Sequence, residues 1–597
     1  DCGAISDFYT SHKVSSTPVH AAAKGVLAGT DVECQWENHL YRNIPEAVKR
    51  GLVKEEEVNE RLKRALIGRF DLGEMDDDEL VPWSKIPASV INNDEHRKLA
   101  LDMALESMTL LQNKNNILPL DKSIEKLAVI GPNADDEPML WGNYNGVPIR
   151  TITILDGIKS KVDESKIIYD KACDLVEDKV TQSYFSQCLI DGKKGFKVEY
   201  WNNINREGDI VATQQIVNPI KMTTAGQHEF ASGVKLEGFS AKYETEFTPA
   251  ISEEIVFKCG ATGAFEVIVN GETIVKYVNW RTLPSRHPYQ VEAGKKYKIE
   301  ILYTQMNNWQ ANLEFNFGKE IDVDYTDLIN KLKDIEVVIF IGGLSTILEG
   351  EEMPVSYPGF KGGDRTNIEL PSVQRNCLKA LKDSGKKVVY VNCSGSAIAL
   401  TPETETCDAI LQAWYGGESG GQAVADVLFG DYNPSGKLPI TFYKTSDQLP
   451  DFEDYSMKGR TYRFMEDALY PFGYGLSYTT FLIGDAKISS NTLNENGSIK
   501  MAIPVLNTGD INGTEIVQVY IRKKDDSDGP IKTLKGFKRV NVESGKSSEA
   551  IIELPYDSFE FYNRQKVMMT VEPGDYEIMY GNTSDSKKLR NIKVSIQ

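Results

Sequence analysis

The sequence predicts a multidomain protein that combines α/β segments with all-β segments. Its 597 residues correspond to about four domains, because most domains contain roughly 100–200 residues. In two stretches, short apolar strands alternate with helices, which is typical of a parallel sheet covered by helices. In two others, apolar residues recur with a period of two between Gly, Asn and Pro turns, which is typical of β-sandwiches.

The first stretch, about 85 residues long, has α/β character. Residues 20–34 predict a helix followed by a short strand that ends at Asp31, and residues 44–50 predict a second helix. Residues 55–70 carry apolar side chains at i, i+3 and i+4 spacing, so they predict an amphipathic helix. The acidic run at residues 74–79, which prolines follow, indicates a linker.

The next two α/β stretches predict one largely parallel sheet with helices on both faces. The first contains a predicted helix at 95–112, a strand at 127–132, a loop at 142–146 and a helix near Ile154. The second contains predicted strands at 337–343, 387–391 and 409–413 and a helix at 373–383.

All-β character is predicted in two places. Between the α/β stretches, residues 196–319 contain short alternating segments and predict an inserted β-domain. The last segment of the chain, from residue 478 onward, shows the same pattern and predicts a β-sandwich.

Composition excludes several classes of function. The net charge of −20 and the pI of about 5.0 argue against a nucleic-acid partner, which would require a high density of Lys and Arg. No apolar run approaches the roughly 18 residues that a membrane span requires. Eight scattered Cys and six His show no metal-ligand spacing, so we expect no metal, no other cofactor and no disulfide framework. A phosphate-binding loop is also absent from the sequence, and we expect no serine nucleophile of the serine-hydrolase type.

The remaining candidates for chemistry are carboxylates. An acidic cluster with Glu349, Glu351 and Glu352 follows the glycine turn at the end of strand 337–343. Ligands bind at the carboxyl ends of strands in open parallel sheets, so this loop is a candidate site. The alternative is a solvated acidic loop without a function.

Several motifs occur along the chain in a fixed order. They are Asp1-Cys-Gly-Ala-Ile5, residues 106–113 with 118–120, and residues 128–135, 414–421, 433–439, 459–463 and 469–478. Together they resemble glycoside hydrolase family 3 over essentially the whole chain. In that resemblance Asp1 stands at the catalytic nucleophile, so we expect the earlier part of a barrel to be missing from this sequence.

The resemblance implies an architecture. Residues 1–85 would be the C-terminal end of a TIM-like barrel, and residues 86–195 with 320–477 would form an α/β sandwich domain. Residues 196–319 would be an inserted sandwich of the protective-antigen type, either carbohydrate-binding or purely structural. Residues 478–597 would be a fibronectin type III-like domain. Because a barrel requires all of its strands, we expect this chain alone to be inactive.

The resemblance also implies a retaining glycosidase with two carboxylates. Asp1 matches the nucleophile, and Glu351 matches the acid/base of an E-x-E-G-x-D-R loop, with Glu349 as the alternative. The sequence departs from that loop at Glu352, where Gly is usual, and by a spacer at residues 354–363 before Asp364-Arg365. We expect Cys2, Glu349 and Glu352 to bind substrate beside the catalytic pair.

The implied substrate is an oligosaccharide. Many β-glucosidases of the family have Trp after the nucleophile, whereas this chain has Cys2. With the loop at 142–148, this favours β-xylosidase activity, and β-glucosidase and arabinofuranosidase activity are the alternatives. The resemblance further implies a periplasmic or secreted protein.

A different class of function is also considered, namely a non-catalytic carbohydrate-binding or scaffolding protein that uses the two β-sandwiches. The presence of Asp1 and Glu351 in matching motifs argues against it.

Overall fold

The computed structural model of the chain describes residues 2–35, 39–279, 285–306, 310–353 and 355–597. The chain forms two compact units, residues 1–93 and residues 94–597.

The first unit is helical in its described residues. Its helices are Ala4–Thr10, Pro18–Ala28, Ile44–Lys49 and Glu55–Asp71. The helix Pro18–Ala28 has a favourable N-terminal cap. The Thr17 hydroxyl accepts a hydrogen bond from the His20 N–H (3.3 Å), and Pro18 occupies the first turn. It ends at Gly29, whose φ of 98° suits a left-handed C-terminal cap. The helices predicted at 44–50 and 55–70 are confirmed.

The short strand predicted to end at Asp31 is wrong. No strand occurs among residues 2–35 and 39–93. The backbone after Gly29 therefore has no neighbouring strand among these residues with which to form sheet hydrogen bonds. Instead, Arg64 holds Asp31 with a forked contact, Nε to Oδ1 at 3.0 Å and Nη2 to Oδ1 at 2.7 Å.

The second unit is built on a six-stranded sheet. In spatial order its strands are Thr109–Asn113, Ala409–Gln412, Lys387–Cys393, Val337–Gly343, Leu127–Ile130 and Ile167–Asp170. The first pairs antiparallel with its neighbour and all other pairs are parallel. The prediction of a largely parallel sheet is therefore confirmed.

Alternate residues of the central strand enter two different cores. Val338 and Phe340 pack in one core, whereas Ile339 and Ile341 pack in the other, and all four are fully buried. Helix Ser372–Asp383 contributes to the first of these cores. The helices Asp94–Ser107, Ile154–Lys159 and Gly420–Leu428 contribute to the second. The sheet is thus covered by helices on both faces, as a parallel sheet requires.

The helix predicted at 95–112 is wrong beyond Ser107. Residues Thr109–Asn113 form an edge strand, with Leu110 buried in one core and Leu111 in the other. A strand sends successive side chains to opposite faces, whereas a helix would place both residues on neighbouring positions of one surface.

The inserted part of the second unit is a two-sheet sandwich. The larger sheet contains Leu189–Ile190, Lys193–Lys194, Phe196–Trp201, Ala212–Ile216, Ser240–Phe247, Gly263–Val269, Glu272–Asn279 and Tyr297–Thr304. The smaller contains Lys179–Ser183, Ile220–Thr223, Glu253–Ala261, Ser285–Val291 and Asn312–Asp322. Its core is rich in aromatic rings, among them Phe247, Phe257 and Phe317. The all-β character predicted for the insert is confirmed. Its sheets also include strands that precede residue 196.

The C-terminal part is a second sandwich. One sheet contains Phe481–Ile483, Lys487–Ile488, Ser498–Asn507 and Ser547–Pro555. The other contains Thr492–Leu493, Gly513–Lys523, Thr533–Val542, Gly574–Gly581 and Arg590–Ile596, and Phe561–Asn563 forms a separate ribbon with Met568–Thr570. The remaining helices of this unit are Glu137–Trp141, Thr326–Lys331, Thr401–Thr406 and Thr461–Phe464. No helix in the described ranges is long and apolar enough to cross a membrane. The mixed fold class predicted from the sequence is confirmed.

Candidate active site

The candidate site lies at the carboxyl edge of the six-stranded sheet, where three loops meet. The strands before these loops are parallel neighbours, so their carboxyl ends lie at the same edge. The loops follow Val337–Gly343, Lys387–Cys393 and Leu127–Ile130 and contain residues 344–353, 394–400 and, after a short helix, 142–148.

The end of the central strand is fixed by buried polar contacts. The fully buried Gln374 amide accepts the Gly343 N–H (2.7 Å) and donates to the Gly343 carbonyl (2.8 Å). The Leu344 N–H continues the ladder to the Cys393 carbonyl at 2.7 Å. Gly343 has a φ of 112°, and a Cβ there would lie 2.1 Å from the Cys393 carbonyl oxygen, so only glycine fits. The acidic loop therefore begins from a rigid point.

Glu349 is half-buried and held from two sides. Its carboxylate accepts a hydrogen bond from the Ser396 hydroxyl at 2.9 Å. Its backbone carbonyl accepts from the Asn143 side-chain amide at 3.2 Å. Glu349 thus connects all three loops, and its carboxylate is engaged in the structure.

Arg365 lies behind this contact. Its Nη1 donates to the Ser396 hydroxyl (3.1 Å) and to the Ala397 carbonyl (2.7 Å). Burial lowers the pKa of Arg365, and the nearby Glu349 charge opposes that shift. The Nε and Nη2 atoms of Arg365 are buried and have no hydrogen-bond partner among the described residues, and the same holds for the Tyr415 hydroxyl. Buried donors of this kind require an acceptor, such as a water or a sugar hydroxyl.

Glu351 and Glu352 differ from Glu349 in exposure. Both are exposed, and the hydroxyl of Tyr144 donates a hydrogen bond to the Glu351 carboxylate. Glu352 has a φ of 47°, so the chain turns sharply directly after Glu351. The loop therefore presents Glu351 at an accessible tip while Glu349 anchors its base. An accessible carboxyl group can exchange a proton with a bound ligand.

The spacer that separates the acidic loop from Arg365 folds back on itself. Residues Ser356–Tyr357, Phe360–Lys361 and Asp364–Arg365 form a small three-stranded antiparallel sheet. The Gly350 N–H donates to the Gly363 carbonyl and the Met353 N–H donates to the Gly362 carbonyl, each at 3.0 Å. The spacer therefore folds into antiparallel strands, and this folding brings Asp364 and Arg365 back next to the acidic loop.

Asp1, the predicted nucleophile, lies outside the described residues. Cys2, predicted to bind substrate, forms a disulfide with Cys34, so it has no free thiol. The Gly3 N–H also donates to the Cys34 carbonyl at 2.8 Å. The spacing of the cysteines did not predict this bridge, because its partners are 32 residues apart. The six other cysteines are free and buried, and the role of Cys2 stays a prediction.

Sequence reasoning identified the acidic residues and missed most of their partners. Tyr144 and Asn143 lie in the predicted loop at 142–146, and Tyr415 lies in the motif at 414–421. Ser396 carried no signal apart from its position after a strand. Among the residues that the structure describes, no group of three or more His, Cys, Asp or Glu side chains could hold a metal ion.

Two sequence profiles match the chain. The glycosyl hydrolase family 3 C-terminal domain matches residues 108–478, and the fibronectin type III-like domain matches residues 515–584. A xylan 1,4-beta-xylosidase of Xylanibacter ruminicola is 53% identical over 100% of this chain and 69% of its own length. A periplasmic beta-glucosidase of Salmonella typhimurium is 27% identical over 97% of this chain and 61% of its own length. A beta-xylosidase of Formosa agariphila is 26% identical, with coverages of 98% and 63%. The chain thus spans between 61% and 69% of the length of these relatives.

Solved structures share the fold. The beta-glucosidase from Kluyveromyces marxianus in complex with glucose aligns with a TM-score of 0.67 at 23% identity, over 96% of this chain and 71% of that one. The beta-glucosidase from Listeria innocua in complex with isofagomine aligns with a TM-score of 0.64 at 21% identity, over 100% of this chain and 62% of that one. At this level of identity the likeness concerns the fold.

The hairpin contact predicts that Gly363 positions the acidic loop. Gly363 has a φ of 89°, and a Cβ there would lie 2.1 Å from the Gly350 carbonyl oxygen. We expect Gly363→Ala to separate the two backbones and to increase amide exchange of Gly350 and Met353 by about tenfold or more, since local opening becomes easier by over 1.4 kcal/mol. Hydrogen–deuterium exchange of the peptide that covers residues 345–353 measures this change.

The matched control is Gly362→Ala. Gly362 also has a positive φ of 67°, but no atom lies within 4 Å of the added Cβ. This variant carries only the backbone cost of a left-handed residue, about 1–2 kcal/mol. Equal exchange in the two variants would show that the close approach at Gly363 does not hold the loop.

Proposed function

Because this chain belongs to glycosyl hydrolase family 3, we propose that it forms part of a retaining, exo-acting β-xylosidase that removes terminal xylose from β-1,4-linked xylo-oligosaccharides. The observation that carries the mechanism is the anchored acidic loop, in which Glu349 is engaged by Ser396 while Glu351 is exposed at the tip. Identity of 53% with a xylan 1,4-beta-xylosidase supports the sugar.

In the proposed first step, the Asp1 carboxylate attacks the anomeric carbon of the terminal sugar. Glu351 donates its proton to the glycosidic oxygen as the carbon–oxygen bond breaks, and the shortened oligosaccharide departs. The sugar is then bound covalently to Asp1 through an ester-like glycosyl linkage, and Glu351 is ionised.

In the proposed second step, Glu351 removes a proton from a water molecule that attacks the anomeric carbon. The bond to Asp1 breaks, β-configured xylose is released, and both carboxyl groups return to their starting states. The first group must be ionised and the second protonated at the start, so their surroundings must differ.

Contacts of the loop support Glu351 over Glu349 as the proton donor. Glu349 accepts from Ser396, and Ser396 in turn accepts from the Arg365 guanidinium. A carboxylate held by this chain of donors is fixed in position, which suits an anchor. Glu351 has Tyr144 as a hydrogen-bond donor and is accessible to a ligand. Glu352 and Cys2 are proposed to contact the substrate beside this pair.

We also propose a periplasmic or secreted location. The similarity to a periplasmic beta-glucosidase supports it. The Cys2–Cys34 disulfide supports it independently, because disulfides persist in oxidising compartments.

The xylosidase proposal predicts a substrate ratio. In the complete protein, we expect kcat/KM for an aryl β-xyloside to exceed that for the matching aryl β-glucoside by about 10-fold or more, because excluding one hydroxymethyl group from a fitted pocket is worth roughly 1–3 kcal/mol. Steady-state kinetics with the two nitrophenyl glycosides measures the ratio. A ratio below one would assign the protein to the β-glucosidases of the same family.

The acid/base assignment predicts an effect that depends on the leaving group. Glu351→Ala should lower turnover of xylobiose about 10²–10⁴-fold more than turnover of a dinitrophenyl xyloside, because an activated phenolate leaves without a proton. The ratio of kcat/KM values on the two substrates measures the effect.

Glu352→Ala is the matched control, because Glu352 is the exposed neighbour of Glu351. It should affect both substrates to a similar degree. If Glu349→Ala shows the selective loss and Glu351→Ala does not, the role belongs to Glu349 and the loop alignment is shifted by two residues.

The nucleophile assignment predicts chemical rescue. Asp1→Ala should abolish turnover of an aryl xyloside, and added azide should restore part of it by attacking the anomeric carbon, with an α-configured glycosyl azide as the product. Product analysis by NMR identifies the anomer. Asp7→Ala, which removes a half-buried carboxylate from the same segment, should retain turnover and form no azide adduct. Normal turnover by Asp1→Ala would show that another carboxylate attacks.

A further inference from the structure

A cavity of about 200 Å³ lies on the C-terminal sandwich, away from the acidic loop in sequence. Its walls come from the ends of strands Gly513–Lys523 and Thr533–Val542, from the ribbon strand Phe561–Asn563 and from the short segment at residues 463–464. The volume is suited to a single sugar ring or a group of similar size.

The cavity is basic in a strongly acidic chain. Five cationic side chains line it, together with three acidic ones (Asp526, Asp528 and Glu560), whereas the whole chain carries a net charge of −20. The five cations are Arg463, Arg522, Lys523, Lys535 and Arg564.

Three of these cations have carboxylate partners. Lys523 pairs with Asp525, Lys535 with Glu560 at 3.5 Å, and Arg564 with Asp528 at 3.2 Å.

In the described part of the chain, Arg463 and Arg522 have no carboxylate within 4.0 Å. The Nε atom of Arg522 is buried and has no hydrogen-bond partner there. A buried guanidinium N–H without an acceptor is uncommon, so Arg522 indicates a missing anionic partner, and the exposed Arg463 offers a second cation for it.

Aromatic rings accompany the cations. Phe464, Phe561 and Tyr562 line the same cavity, and Tyr562 is 53% exposed. The Lys523 ammonium lies 5.2 Å from the centroid of the Phe561 ring. The Arg463 guanidinium lies 5.8 Å from the centroid of the Phe464 ring. Rings in such a cavity offer apolar faces on which the C–H groups of a sugar can pack.

We propose that this cavity binds an acidic saccharide, with the sugar ring against the aromatic side chains and its carboxylate at Arg463 and Arg522. The planar fork of arginine matches a carboxylate with two parallel hydrogen bonds. A neutral sugar would leave both guanidinium groups without a counter-charge, and a small inorganic anion would leave the aromatic faces uncovered. The site goes beyond the proposed glycosidase function, and family membership contributes only the expectation of a saccharide.

Calorimetric titration of the complete chain at low ionic strength tests the proposal. The probes are a xylo-oligosaccharide with one glucuronic acid branch and the unbranched oligosaccharide of the same backbone length. We expect the acidic probe to bind at least about 10-fold more tightly, since a hydrogen bond to a charged group contributes roughly 1.5–3 kcal/mol. Arg463→Ala and Arg522→Met should each remove most of that difference, and Tyr562→Ala should weaken both probes.

Lys538→Ala is the matched control. Lys538 is exposed on strand Thr533–Val542 and does not line the cavity, so this variant removes the same charge from the same domain. It should leave the affinity within about twofold, because exposed charges are screened. Arg463 is itself exposed, so its variant tests the site even if Arg522→Met unfolds the domain. Equal binding of the two probes, equal losses in Lys538→Ala and Arg463→Ala, or displacement of the acidic probe by an equal concentration of sulfate would each overturn the assignment.

Discussion

The parallel pairing of strand Val337–Gly343 with its two neighbours is the constraint on which the candidate site depends. The strand pairs with Leu127–Ile130 on one side and with Lys387–Cys393 on the other. Its alternate residues are fully buried in two separate cores. A shift of one residue would exchange the two faces, so the register is strongly fixed. The loop that contains Glu349 and Glu351 therefore starts from a point that cannot move without disrupting both cores.

Anchoring and accessibility are divided between neighbouring residues of one loop. Glu349 is tied through Ser396 to Arg365, whereas Glu351, two residues later, is exposed. A proton donor must reach the glycosidic oxygen within hydrogen-bond distance and must then accept a proton from water, so it needs both a fixed base and an open tip. Because the backbone contact between Gly350 and Gly363 lies between the two carboxylates, it limits how far the tip can move relative to the anchor.

The sequence predicted elements whose signals are local and strong. Strand 337–343 is a continuous apolar run that ends in two glycines, and helix 55–70 has a regular apolar spacing, so the structure confirms both. Residues 109–112 lie at the end of the helix predicted at 95–112, but they belong to the strand Thr109–Asn113. Its strand conformation depends on pairing with Ala409–Gln412, about three hundred residues away in sequence. Such a partner cannot be read from a local window.

In the candidate site too, local features were predictable from the sequence and long-range contacts were not. Its carboxylates were predicted, because an acidic run after a buried strand is visible in sequence. The contact of Glu349 with Ser396 was not, since it joins two loops that only the sheet brings together. The position of Arg365 near the acidic loop could not be predicted either, because a long spacer separates the two in sequence. Only the antiparallel pairing within the spacer shows that the chain folds back at this point. Residue types were therefore predictable, and their partners were not.

Charge distribution separates the two candidate carbohydrate sites of the second unit. At the sheet edge, the Arg365 guanidinium lies close enough to Glu349 to interact with its charge, and it is held by contacts to Ser396 and Ala397. Its charge is directed at the anchor, so an anionic ligand there would face the exposed Glu351 and Glu352. On the C-terminal sandwich, Arg463 and Arg522 line an open cavity instead. In a chain with a net charge of −20, long-range repulsion disfavours an anionic ligand over most of the surface. Short-range contacts to unpaired guanidinium groups are then needed to hold one, and they would hold it away from the carboxylates that act on a neutral sugar.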